Sequence, residues 1–119
     1  MKKNKFIPYA RQNISSLDIK SVENVLKSDY LTQGSYTSLF EKKIKQFSKT
    51  KYSSVVNSAT SALHLSCKAL DLKKNDLVWT TPITFAASAN CALHLDAKID
   101  FVDIDRKTFC MSVKALESK

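Results

Sequence analysis

Val55–Leu65, VVNSATSALHL, changes its pattern within a few residues. A β-branched pair, Val55 and Val56, gives way to the small residues Asn57, Ser58, Ala59, Thr60 and Ser61, and apolar Ala62, Leu63 and Leu65 then follow in a helical rhythm. Gly and Pro, the usual turn formers, are absent from the stretch,. Small hydroxyl residues at a helix mouth can cap it with their own oxygens. They can also leave its unpaired N–H groups and positive dipole end open to an anion. The stretch therefore predicts a strand, a helix start and a candidate phosphate cup built from Ala59, Thr60 and Ser61. A plain serine or threonine N-cap accounts for the same residues without a ligand.

On the carboxyl side the alternation continues. KYSSVVN (51–57), NDLVWTT (75–81) and AKIDFVDID (97–105) read as short apolar strands. TSALHLSCKALDL (60–72) and TFAASANCALHL (84–95) read as the helices between them, and SVKALESK (112–119) as the opening of another. Strands alternating with helices predict crossover units and a mainly parallel sheet, a βαβαβ α/β arrangement. On the amino side, an arm holding Pro8 leads into SSLDIKSVENVLKSD (15–29), which has helical apolar spacing and Ser15 or Ser16 as N-cap,. The only glycine, Gly34, breaks that pattern, and YTSLFEKKIKQFSK (36–49) is a second amphipathic helix,. The organisation expected is an arm with two helices over 1–50 and a partial α/β domain over 51–119. Three strands are few for a well-covered sheet, so the chain reads as the first part of something longer, with apolar helix faces left exposed and marginal stability expected.

Composition narrows the function classes. Of 119 residues, 44% are hydrophobic and 25% charged, the balance of a globular core,. No apolar run reaches the length of a membrane span, and the basic start MKKNKFIPYA lacks the apolar core of a signal peptide, so the expectation is a cytoplasmic protein with no membrane partner,. The net charge of +8 comes almost wholly from Lys, with Arg11 and Arg106 the only arginines. Lysines on polar helix faces, without interleaved aromatics, predict no nucleic-acid partner. Cys67, Cys91 and Cys110 have no disulfide framework spacing,. His64 with Cys67 and Cys91 with His94 have ligand-like spacing on two helices, yet they sit among apolar residues where cysteine is a common core residue,. No metal is expected.

In open α/β sheets ligands gather at the carboxyl ends of strands. The second such end carries Thr81-Pro82 and then Phe85, one turn into the expected helix, where an aromatic ring could cover a flat ligand or simply enter the core,. The third end carries Asp103 and Asp105, for which turn and capping roles are expected ahead of a metal,.

In order along the chain, IPYARQ (7–12), LKSDYLTQG (26–34), VVNSATSALHL (55–65), TTPITFAASAN (80–90) and IDFVDID (99–105) resemble the start of the DegT/DnrJ/EryC1/StrS sugar aminotransferases. The resemblance implies the N-terminal part of the fold-type I pyridoxal-phosphate transferase large domain. Within the family, NSATSAL and LTQG look most like the transaminases of pseudaminic acid synthesis, although many relatives have Gly where this chain has Ala59. These enzymes place an amino group at C4 of a UDP-linked 4-keto-6-deoxy-N-acetylhexosamine, with glutamate as donor.

By that resemblance, Ala59, Thr60 and Ser61 hold the phosphate of pyridoxal 5'-phosphate and Phe85 stacks on its ring. Tyr9, Asp29, Tyr30, Leu31, Thr32 and Ala59 line the sugar-nucleotide site, and a homodimer is implied. The family's cofactor-linking lysine and the acid that pairs with the pyridine nitrogen lie beyond position 119. No lysine here stands at a matching position, so no catalytic residue is assigned, and the chain is expected to be inactive alone. The alternative is a non-catalytic phosphate-binding α/β module.

Overall fold

Ser15 starts the first helix by a reciprocal cap. Its hydroxyl accepts from the Asp18 N–H at 3.3 Å, while the Asp18 carboxylate accepts from the Ser15 N–H at 2.7 Å,. The computed structural model describes residues 6–119. It divides into two units, Met1–Ser54 and Val55–Lys119.

The N-terminal unit holds α1 (Ser16–Leu26) and α2 (Ser35–Ser48). Gly34 is the N-cap of α2, and its lack of a side chain matters, since a Cβ there would stand 2.8 Å from the Tyr30 carbonyl oxygen. Lys49 ends α2 in the left-handed conformation, φ 55°,. Neither helix contains a buried residue. Leu17, Ile19, Val22 and Leu26 on α1 and Leu39, Phe40, Ile44 and Phe47 on α2 all remain exposed.

The C-terminal unit runs α3 (Ala59–Ala69), β1 (Leu77–Thr80), α4 (Ala87–Leu93), β2 (Lys98–Phe101) and α5 (Val113–Glu117). β1 and β2 are parallel neighbours, with Leu77 opposite Lys98 and Thr80 opposite Phe101, so α4 is a crossover between them,. α4 packs on both strands and on α3. Its small residues permit close approach. Ala87, Cys91, Ala92, Ala97 and Val102 form the buried core among the described residues, with Ala92 and Val102 wholly excluded from solvent.

Two expectations need correction. Residues 51–57 form no strand, because the sheet among the described residues consists of β1 and β2 alone. A strand is defined by its ladder, which β-propensity alone does not create. Phe85 does not lie within a helix either. The chain bends through 82–84 after Pro82, and α4 begins at Ala87 behind Ala86, which offers no side-chain cap.

Candidate phosphate cup at the start of α3

The N-terminus of α3 is built by its own sequence. Ser58, in extended conformation, is the N-cap, and its hydroxyl oxygen accepts from the Ser61 N–H at 3.1 Å. The Ser61 hydroxyl donates to Asn57 Oδ1 at 3.2 Å. With that hydrogen committed, the 3.0 Å contact between Ser58 Oγ and Ser61 Oγ draws its hydrogen from Ser58,. Ser61 has therefore spent both its N–H and its hydroxyl hydrogen inside the chain. Ala59 and Thr60 have not. They are exposed at the first two helical positions, where α-helix geometry leaves N–H groups without intrahelical partners,. The Thr60 hydroxyl is open as well.

Thr60 and Ser61 line an open cavity of about 590 Å³ together with His64, Leu65 and His94. His64 and His94 meet edge to face, ring centroids 5.9 Å apart, and His64 Nδ1 is buried without a hydrogen-bond partner. Phe85 lines a different cavity, of about 420 Å³, with Thr81, Pro82, Asn90, Ile99 and Phe101 among its walls. Of the expected cup residues, Thr60 and Ser61 line this cavity while Ala59 and Phe85 do not. The Phe85 ring is 76% exposed, a surface available to a ligand face rather than a core side chain. The two open N–H groups, the Thr60 hydroxyl and the helix dipole have the chemistry to receive an anion such as a phosphate.

Tyr9, Asp29, Tyr30, Leu31 and Thr32 lie in the N-terminal unit, all exposed. A cavity of that unit, about 260 Å³ and lined by Lys42, Lys45, Lys51 and Tyr52 among others, includes none of them.

The aspartates at the third strand end serve the backbone. Asp103 Oδ1 accepts from the Ile104 N–H, and Asp105 Oδ1 accepts from the N–H groups of Lys107 and Thr108, both at 2.9 Å. The Thr108 and Lys107 N–H groups, in that order, hold the Asp105 carboxyl below its ordinary value,. Among the described residues no three His, Cys, Asp or Glu side chains stand together as a metal site. No helix among them is long and apolar enough to cross a membrane. Asn57 and Ser58 were missed in the sequence. The detectable signal was Ser58 three residues before Ser61, the spacing of a side-chain cap.

Residues 12–119 match the family model described as the DegT/DnrJ/EryC1/StrS aminotransferase family. The UDP-4-amino-4,6-dideoxy-N-acetyl-beta-L-altrosamine transaminase of Campylobacter jejuni (strain 81-176) is 46% identical over 98 residues, covering 82% of this chain and 26% of that protein. The uncharacterized protein MJ1066 of Methanocaldococcus jannaschii is 41% identical over 118 residues, 99% of this chain and 31% of that one. Among solved structures, the Escherichia coli GDP-4-keto-6-deoxy-D-mannose-3-dehydratase with bound hydrated PLP superposes with TM-score 0.86 at 26% identity, covering 93% of this chain and 30% of that one. The PLP-form of Spr1654 from Streptococcus pneumoniae, described as a sugar aminotransferase, gives 0.84 at 31% identity, covering 94% and 29%. The chain therefore spans about a third or less of the length of each of these relatives.

Proposed function

The chain belongs to the DegT/DnrJ/EryC1/StrS aminotransferase family, and we propose that it is the N-terminal portion of a pyridoxal-phosphate-dependent sugar-nucleotide aminotransferase. The reaction proposed is amination at C4 of a UDP-linked 4-keto-6-deoxy-N-acetylhexosamine, with glutamate as donor. The similarity to the altrosamine transaminase supports that substrate class. Pseudaminic acid synthesis, a cytoplasmic setting and a homodimer belong to the same proposal.

The observation that carries the reading is the open start of α3 in a chain that matches the family over 12–119. The Ala59 and Thr60 N–H groups and the Thr60 hydroxyl would receive the cofactor phosphate, with Ser61 supporting them from below. Phe85 would lie over the cofactor ring. Tyr9 and residues 29–32, with Ala59, would line the sugar-nucleotide site. When bound, the cofactor supplies the electron sink for exchange of the amino group.

We place the cofactor-linking lysine outside these 119 residues. Lys98 opens β2 opposite Leu77, at the amino end of the parallel pair and away from the strand ends where ligands gather,. Lys51 is exposed, its ammonium 5.3 Å from the Tyr52 ring.

Equilibrium dialysis of the chain tests the cup. Pyridoxal phosphate is expected to be retained over pyridoxal, and Thr60→Val to reduce that preference about tenfold, the loss of one charge-assisted hydrogen bond. Equal retention of the two compounds would overturn the cup. With glutamate and the keto sugar nucleotide added, mass spectrometry is expected to find no amino sugar. Its appearance would overturn the placement of the lysine.

A further inference from the structure

The two ligand-like pairs noted in the sequence meet across α3 and α4, as thiol with thiol and imidazole with imidazole. Cys67 Sγ donates to Cys91 Sγ at 3.6 Å, and Cys91 Sγ donates in turn to the Ser88 carbonyl at 3.4 Å. The imidazoles of His64 and His94 touch separately, edge to face. The four donors therefore do not converge on one point, in line with the absence of a metal-binding group among the described residues.

What the arrangement does provide is two sulfurs in contact. They lie 24 positions apart in sequence, and a disulfide requires them to close from 3.6 Å to about 2.05 Å,. The two cysteines also differ in access: Cys91 is 4% exposed, whereas Cys67 is only half-buried.

We propose that Cys67 and Cys91 are an oxidative modification site, a dithiol that hydrogen peroxide converts to an intrachain disulfide joining α3 to α4. The more accessible Cys67 sulfur attacks a peroxide oxygen, the O–O bond breaks, and Cys67 becomes a sulfenic acid with release of water. The Cys91 sulfur then attacks the Cys67 sulfur. The S–O bond breaks as the S–S bond forms, and the hydroxide leaves with the Cys91 proton as a second water. Two thiols lose two electrons to one hydrogen peroxide. The link closes a loop that contains β1, so it ties the helix bearing Thr60 to the helix that follows Phe85. Burial, and then the hydrogen bond shared with Cys91, hold the Cys67 thiol above its ordinary value, so its thiolate fraction is small and the first step is slow,.

Peptide mapping of the full chain tests this, without denaturant, after excess hydrogen peroxide and alkylation of remaining thiols. Lys68 and Lys98 allow the three cysteines to be separated by trypsin. The expected product has lost two hydrogens and carries the Cys67 peptide joined to the Cys91 peptide, a link that a dithiol reductant reverses. Cys110→Ser, at an exposed position, should leave that link intact. Cys67→Ser should leave Cys91 alkylatable only after denaturation. Pairing of Cys67 or Cys91 with Cys110 as often as with each other would overturn the proposal. So would Cys67 and Cys91 remaining thiols while Cys110 oxidises.

Discussion

The two units spend their apolar residues differently. The N-terminal unit has the better-formed helices, with a reciprocal cap on α1 and a left-handed terminator on α2, yet neither helix buries a residue. The C-terminal unit has shorter elements and a two-stranded sheet, yet it contains every buried residue of the core. Local signals and burial are thus independent sources of order. Capping sets where a helix begins, whereas the solvent exclusion of Val102 and Ala92 comes from the crossover that brings α4 onto β1 and β2,.

A carboxylate placed in each unit should separate the two most strongly. Val102→Asp buries a charge without a partner and should cost several kcal/mol, enough to unfold the C-terminal unit,. Leu17→Asp, at a side chain 74% exposed, should change stability by no more than about 0.5 kcal/mol,. Hydrogen exchange should show loss of protection in α4, β1 and β2 for the first variant, with α1 unchanged in the second. Equal effects would mean that α1 is buried in solution.

Gly34→Ala comes next in size. The added Cβ meets backbone, the Tyr30 carbonyl at 2.8 Å, which cannot swing aside as a side chain can. A loss of about 1–3 kcal/mol is expected, as for other overpacked sites, read as frayed amides at the start of α2. An unchanged exchange pattern would show that the 30–34 turn yields freely.

Ser58→Ala then compares the two caps that matter most. It should destabilise α3 by about 1 kcal/mol, as Ser15→Ala should destabilise α1,. The consequences for ligands differ. Loss of the Ser58 oxygen frees the Ser61 N–H, so retention of pyridoxal phosphate should persist or rise while helicity falls. A fall in both would make Ser58 itself part of the cup.

These contrasts also explain what was legible in the sequence. The start of α1 could be read because Ser15 accepts from an N–H three residues on, an interaction confined to one turn. Ser58 and Ser112 make the same bond at α3 and α5, where only the helices themselves were legible. The parallel βαβ order could be read from the alternation of apolar strands and helices. The strand expected at 51–57 could not be settled locally, since a ladder needs a partner from elsewhere in the chain. Phe85 misled because apolar periodicity ran past the bend at 82–84. Within the cup, residue types pointed to Ala59, Thr60 and Ser61 alike. Only the bonds to Asn57 and Ser58 separate the residues with open donors from the one whose donors are spent.

The smallest effect expected is a pH dependence at Asp105, where a turn rather than a core is at stake. Its carboxylate accepts from the Lys107 and Thr108 N–H groups while its carbonyl accepts from the Phe109 N–H, an arrangement that carries Phe109 at φ 58°. The N–H groups favour the charged form, so the folded pKa lies below the unfolded one,. For a depressed carboxyl, the stabilisation is fully present above the ordinary carboxylate value and is lost as pH falls through the lowered one. The Asp105 carboxyl carbon, followed by NMR, should therefore titrate below the ordinary aspartate value. The amides of Lys107 and Thr108 should shift with the same midpoint. Asp105→Asn retains an acceptor oxygen but no charge, so the acid-linked change in those amides should vanish while the turn survives at neutral pH. A midpoint at the ordinary value would mean that the two N–H groups face water in solution. Phe109 would then hold its left-handed conformation for a reason other than the Asp105 clamp.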